Sequence, residues 1–197
     1  LEGRDPRRLG GPPDLGHTLS TLYNPLVQRL RALAKPVVCA VNRVAAGAGA
    51  NIVFGCDIVL AATTAKFVQS FAKVGLIPDA GGTYHLAQIL GPLRAKAWAM
   101  TAAPITAQTA QDWGLVWQCF EPGALLEAAQ QMTADLAKGA TLGLAQTKHA
   151  IHKAGQIDLE AHMALEAEIQ RACGQSADYL EGVTAFLDKR PAKYSGS

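Results

Sequence analysis

The chain has 197 residues, 49% of them hydrophobic and 17% charged, with a formal net charge of +2 at pH 7. That is enough chain for one packed domain with a sizeable core, and so small a net charge argues against a nucleic-acid or membrane-surface binder. No apolar run approaches the roughly 18 residues of a membrane span and no charged-then-apolar leader opens the sequence, so a cytoplasmic protein is expected.

Residues 1–17 mix charge, glycine and proline without periodicity and read as a mobile loop. From 18 to 34 apolar residues recur at helical spacing (Leu19, Leu22, Tyr23, Leu26, Val27, Leu30), and Pro25 inside that pattern is either a kink or the first turn of a second segment. The β-branched run 37–41 predicts a strand covered on both faces. The small residues of 44–51 then let a strand pass into a helix whose first backbone N–H groups stay free. Such a turn serves as an anion or oxyanion site, or only as close helix packing. It lacks the Gly-Lys-Ser/Thr of a phosphate loop and the third glycine of a dinucleotide fingerprint. Residues 57–62 and 66–68 read as further strands.

The stretch 75–83, Gly-Leu-Ile-Pro-Asp-Ala-Gly-Gly-Thr, places one carboxylate between a proline and two glycines. Apolar neighbours Val74, Leu76 and Ile77 desolvate Asp79 and suit it to proton transfer. A second reading makes Asp79 the N-cap of a helix that starts near Gly81. Helices follow over 83–90 and 93–101, separated by Gly91-Pro92, and over 106–113 with Thr106 as cap, before a strand at 115–120. Beyond Gly123 the pattern is helical: 125–138, 142–154, 159–173 and 178–189, amphipathic and too apolar to stand alone. The tail, 192–197, carries no structural signal.

Cys39, Cys56, Cys119 and Cys173 form no CxxC pair and are expected as buried free thiols. His149 and His152 lie three apart on a helix but have no third ligand nearby in sequence, so no metal site is expected.

Taken in order, these motifs resemble the crotonase, or enoyl-CoA hydratase/isomerase, superfamily. The resemblance rests on 35–42, the small-residue run through Asn51, Cys56-Asp57-Ile58, Ala65-Lys66-Phe67 and 75–83. It continues through Ile105-Thr106-Ala107 with Ala110, Trp113-Gly114-Leu115-Val116, and 179–190. It implies an α/β spiral core of ββα units with a helical C-terminal extension. The expected division is a loop (1–17), a partial core (18–123), a helical trimerisation region (124–191) and a tail (192–197). Within the superfamily the chain is most similar to isomerases of ring-epoxide acyl-CoA thioesters in phenylacetate degradation, through 23–27, 45–50, Pro78-Asp79 and 176–179.

The resemblance also implies roles. Ala48 would donate a backbone N–H to the thioester oxyanion, with Gly47 and Gly49 giving clearance. Family hydratases carry two glutamates where this chain has Asn51 and Phe71, so water addition is not expected and Asp79 becomes the acid/base of an isomerase. Asn51 and Phe71 would face substrate, and Phe71 with Leu76 and Ile77 would suit an apolar acyl pocket. Tyr23 and Asn24 would line that pocket, or merely pack and turn before Pro25. Coenzyme A would arrive as part of an acyl-CoA substrate, with no cofactor of the protein's own, in a homotrimer or hexamer. Family members have N-terminal strands and a second oxyanion loop ahead of the part seen in this chain, so a partial domain is expected. A Δ3,Δ2-enoyl-CoA isomerase and a non-catalytic fragment or assembly subunit are the alternatives.

Overall fold

The structure, a computed structural model, describes residues 11–197. Most of the loop expected over 1–17 lies outside the described residues. Within them helix begins earlier than the periodicity predicts: the Asp14 carboxylate accepts from the His17 N–H at 2.8 Å and caps α1, Leu15–Thr18. A π-helical turn, Leu19–Tyr23, leads into α2, Asn24–Ala32, with Pro25 in its first turn. Proline has no N–H to give to the ladder, and the wider turn before it lets the chain stay helical without that bond.

The core is built from repeated strand–strand–helix units. β1 (Val38–Val41) and β2 (Val44–Ala46) lead into α3 (Ala48–Phe54). β3 (Ile58–Ala62) and β4 (Lys66–Val68) lead through a 3-10 turn, Ser70–Val74, into α4 (Gly82–Thr101). β5 (Ile105–Thr106), α5 (Ala107–Asp112) and β6 (Gln118–Phe120) follow. The first strands of the two ββα units, β1 and β3, share a parallel three-stranded sheet with β6, ordered β1-β3-β6; their second strands, β2 and β4, share another with β5, ordered β2-β4-β5, in which β5 runs antiparallel. The second unit thus repeats the first displaced by one strand in each sheet, the spiral that the family resemblance implies, while β5 and β6 extend the two sheets with α5 between them.

Between the sheets and helices lie Leu60, Phe67, Leu86, Phe54 and Trp98, all at or below 4% exposure. The Phe54 ring sits 5.6 Å from that of Phe67 and 6.0 Å from that of Trp98, and the Trp98 indole N–H donates to the Ala103 carbonyl at 2.8 Å. Gly91 (φ 70°) breaks α4 just before Pro92, as predicted. The strand expected over 115–120 is shorter: Leu115 and Val116 are buried but precede β6.

The C-terminal helices are α6 (Leu125–Ala137), α7 (Thr141–Lys153), α8 (Leu159–Gly174) and α9 (Ala177–Leu187). Leu125 and Ala129 of α6 join the main core, whereas α8 buries no residue and α9 buries Asp178 and Ala185. A polar clamp holds α7. The Lys148 ammonium meets Asp57 Oδ2 at 2.8 Å and donates to the carbonyls of Leu30 at 2.9 Å and Lys35 at 3.2 Å. Asp57 Oδ2 also accepts from the Val37 N–H at 2.7 Å, so the pair formed by the buried Lys148 and Asp57 is hydrogen-bonded on both sides.

The tail is structured, contrary to the expectation from its composition. Asp178, 3% exposed, accepts from the N–H of Ser195 at 2.6 Å, its hydroxyl at 3.1 Å and the N–H of Gly196 at 3.0 Å. Arg190 forks onto Glu181 at 2.7 and 3.0 Å, and the Lys193 N–H donates to the same carboxylate.

Candidate active site

β2 ends against β4, where the Gly47 N–H donates to the Val68 carbonyl at 2.9 Å. The chain then turns at Gly47 (φ 55°), a conformation that disfavours any side chain. A Cβ there would lie 3.4 Å from Ser70 Oγ and 3.6 Å from Phe71 Cζ. α3 starts at Ala48 with no side-chain cap, and the first N–H groups of a helix have no carbonyl one turn earlier to bond. The half-buried Ala48 and exposed Gly49 thus head a short helix with their N–H groups directed away from its body.

Asn51 is completely buried on the same helix. Its amide nitrogen donates to the main-chain carbonyl of Asp79 at 2.9 Å, and its amide oxygen accepts from Gln69 Nε2 at 2.8 Å. Ala48 precedes Asn51 by less than one helical turn, about 4.5 Å of rise, so this bond brings the start of α3 and the Asp79 turn together. The Asp79 carbonyl accepts a second bond, from the Gly82 N–H at 2.7 Å. Ala80 (φ 48°) and Gly81 (φ 81°) both take left-handed conformations, the former uncommon for a residue with a side chain. The Gly82 backbone lies against the Asn51 amide so closely that a Cβ would sit 2.2 Å from its nitrogen.

The N-cap of α4 is Gly81, two residues beyond Asp79, so Asp79 is not the N-cap residue. Asp79 is half-buried, with its Oδ1 atom shielded from solvent. The residue before it, Pro78, lines an apolar cavity of about 340 Å³ together with Leu76, Ile77, Leu86, Ala95 and Met100 among others. Leu76 and Ile77 both line this cavity.

Two expected substrate residues are placed otherwise. Phe71 packs on Gly47 and does not line that cavity, because the 3-10 turn directs its ring at the β2–α3 junction. Asn51 has no exposed surface and both ends of its amide are engaged, so it holds the turn in place. Tyr23 is half-buried and precedes Val27 by one turn; Val27 would meet a Cβ on Gly81 at 3.6 Å, which puts that face of α2 beside the Asp79 turn. Asn24 is exposed.

Sequence reasoning missed His85, the 5%-exposed imidazole that packs under this turn within 3.0 Å of a Cβ built on Gly81. Burial, aided by the positive fields of Arg31 and His152, lowers it from 6.5 to about 4, so it is neutral near pH 7. Of the helix-face pair, His149 is exposed as expected, whereas His152 is half-buried, 3.8 Å from Asp57 Oδ1. Among the described residues no three His, Cys, Asp or Glu side chains converge as a metal site, and no helix is long and apolar enough to cross a membrane.

Comparison with known proteins agrees with this architecture. The family model for enoyl-CoA hydratase/isomerase matches residues 9–197. The chain is 47% identical over 196 residues to the 1,2-epoxyphenylacetyl-CoA isomerase of Escherichia coli K12, covering all of this chain and 75% of that protein. It is 32% identical over 178 residues to the trans-2-decenoyl-[acyl-carrier-protein] isomerase of Streptococcus mutans, covering 90% of this chain and 68% of that one. A solved enoyl-CoA hydratase from Polaromonas sp. JS666 superposes with a TM-score of 0.88 at 35% identity, covering 93% of this chain and 71% of that one. With a ββα spiral and an ordered match along nearly its whole length, this chain belongs to the enoyl-CoA hydratase/isomerase family and has the crotonase fold.

Proposed function

We propose that the chain is an acyl-CoA isomerase that converts ring 1,2-epoxyphenylacetyl-CoA to the oxepin-CoA, with Asp79 as its single acid/base. The observation that supports this reading is the Asp79 turn: its main chain is clamped by Asn51, which sits on the same short helix as Ala48, and its neighbour Pro78 lines an apolar cavity. The likeness to the Escherichia coli isomerase supports the ring substrate. In this scheme the thioester oxygen lies at the Ala48 N–H. As Asp79 moves a proton at the acyl group, electron density flows onto that oxygen and the helix terminus stabilises it. Such a donor is worth about 10²–10³ in turnover. Isomerisation returns the proton to the product, so one carboxylate suffices, and the absence of carboxylates at Asn51 and Phe71 is consistent with no water being added.

A second reading, a Δ3,Δ2-enoyl-CoA isomerase, is favoured by the purely aliphatic character of Leu76, Ile77, Leu86 and Met100 around the cavity. In either case α9 presents an uncovered stripe, with Leu180 at 69%, Phe186 at 82% and Leu187 at 72% exposure, suited to a homotrimer or hexamer. Coenzyme A enters with the substrate and the setting is cytoplasmic.

The test is to assay Asp79→Asn on both substrate types. A loss of about 10²–10⁴ in kcat is expected, and unchanged turnover would sink the proposal. Higher kcat/KM on aliphatic 3-enoyl-CoA selects the second reading. A chain that oligomerises but binds no acyl-CoA would be an assembly subunit instead.

A further inference from the structure

Gln69 joins β4 to the 3-10 turn and has no exposed surface. Its Nε2 donates to Asn51 Oδ1 at 2.8 Å, whereas its Oε1 is shut off from solvent without a hydrogen-bond partner among the described residues. A buried acceptor left unpaired lowers stability, so the core alone gives no reason for a glutamine here. The polarity of the two amides is forced from the far end. The Asp79 carbonyl can only accept, so Asn51 turns its Nδ2 towards it; the Asn51 oxygen then faces Gln69, which must answer with a donor. A reversed Gln69 amide would set oxygen against oxygen. The residue before it takes part as well, because the Val68 carbonyl accepts from the Gly47 N–H at 2.9 Å. Two successive residues therefore hold both sides of the site: Val68 holds the turn ahead of Ala48, and Gln69 reaches the Asp79 turn through Asn51.

We propose that Gln69 is a positioning residue, which holds the Asn51 amide from behind and so fixes the Asp79 turn relative to the Ala48 N–H. It acts through Asn51 and touches neither substrate nor the reacting atoms, and its role rests on the isomerase reading above. The terminal torsion of an asparagine is broad, so an amide held only at its Asp79 end keeps freedom to rotate. The bond from Gln69 removes that freedom, and the Gly82 backbone walls the amide on a further side. Slack in Asn51 would pass to the Asp79 main chain and from there to its carboxylate. A displacement of that kind slows a proton transfer more than it weakens binding.

The experiment compares Gln69→Met, Asn51→Ala and the double variant with the parent on epoxyphenylacetyl-CoA and an aliphatic 3-enoyl-CoA. Methionine keeps the length of glutamine and removes both the donor and the unpaired Oε1. The urea midpoint of Gln69→Met should therefore stay near the parent's, while kcat falls about tenfold and KM changes less than about threefold. The double variant should lose no more kcat than Asn51→Ala alone, because Gln69 acts through that amide. Hydrogen exchange of side-chain NH2 groups, followed by NMR, needs no substrate. Asn51 and Gln69 should both be protected in the parent, and Gln69→Met should release the Asn51 NH2 while the Gly47 N–H stays slow. Unchanged kcat in Gln69→Met, additive losses in the double variant, or free-chain exchange of either amide in the parent would overturn the proposal. So would release of Gly47 together with Asn51, or a Gln69→Met chain that no longer folds, since each marks a general support of the core. A parent that isomerises neither thioester defeats the isomerase reading alone, and the exchange measurements then decide whether Gln69 holds Asn51.

Discussion

The side-chain amide of Asn51 donates to the main-chain carbonyl of Asp79 at 2.9 Å, across 28 residues of sequence. A buried side chain on one ββα unit thereby sets the position of a carboxylate on the next. Replacing it, Asn51→Ala, removes that clamp and leaves Gln69 without its partner in the core. We expect kcat to fall about 10–100-fold with a smaller change in KM, since displacement by about 1 Å at a reacting centre has effects of that size. Stopped-flow or steady-state assay on the acyl-CoA substrate checks the split.

Two glycines, one on α3 and one at the start of α4, make a matched pair for stability. At Gly82 a Cβ would fall 2.2 Å from Asn51 Nδ2, whereas at Gly49 nothing lies within 4 Å. Gly82→Ala should cost about 1–3 kcal/mol through overpacking. Gly49→Ala, inside a helix, should be neutral or stabilising by about 0.5–1 kcal/mol. Urea denaturation of both variants decides it.

His85 makes stability depend on pH with a definite sign. Its folded value of about 4 lies below the ordinary 6.5, so above pH 6.5 it is neutral in both states and its contribution is fully present. As pH falls from 6.5 towards 4 the unfolded chain takes up the proton first, and stability drops by an amount on the order of 2 kcal/mol. The urea midpoint of the parent chain should fall across this window more steeply than that of His85→Gln.

Asp178 anchors the tail through three hydrogen bonds to Ser195 and Gly196. In Asp178→Ala these partners lose a buried charged acceptor, each such bond being worth about 1.5–3 kcal/mol before compensation by water. Amide exchange at Ser195 and Gly196 should rise to the rate of free chain while exchange in β3 stays slow. Protected tail amides in the variant would show that packing of Tyr194 on Gly182 is the stronger anchor.

The order of elements was readable in the chain because its punctuation is local. Gly91-Pro92 breaks α4 by backbone geometry alone, Thr106 caps α5 through its own hydroxyl at 3.1 Å from the Thr109 N–H, and β-branched runs give β1 and β3. What stayed hidden depends on partners far away in sequence. Asn51 reads as a substrate-facing residue until Asp79 and Gln69 fold around it, and Phe71 reads as a pocket wall until the 3-10 turn aims it at Gly47. The tail looks featureless because its order comes from Asp178 and Glu181, which its own composition does not reveal. At Asp79 the residue types fit a cap as well as an acid/base, and the cap position goes to Gly81 because the chain turns left-handed there before α4 begins.

The Lys148 clamp also sets an order of events as the chain folds. Its ammonium closes loops of 118 residues to Leu30 and 113 to Lys35, and closure entropy makes such contacts late compared with the strand–helix units they enclose. Asp57 therefore waits just ahead of β3, its carboxylate held by the Val37 N–H and its own N–H by the Val37 carbonyl, until α7 arrives with its countercharge. Weakening the clamp should speed unfolding far more than it slows folding, because a contact absent from the transition state acts on the return path.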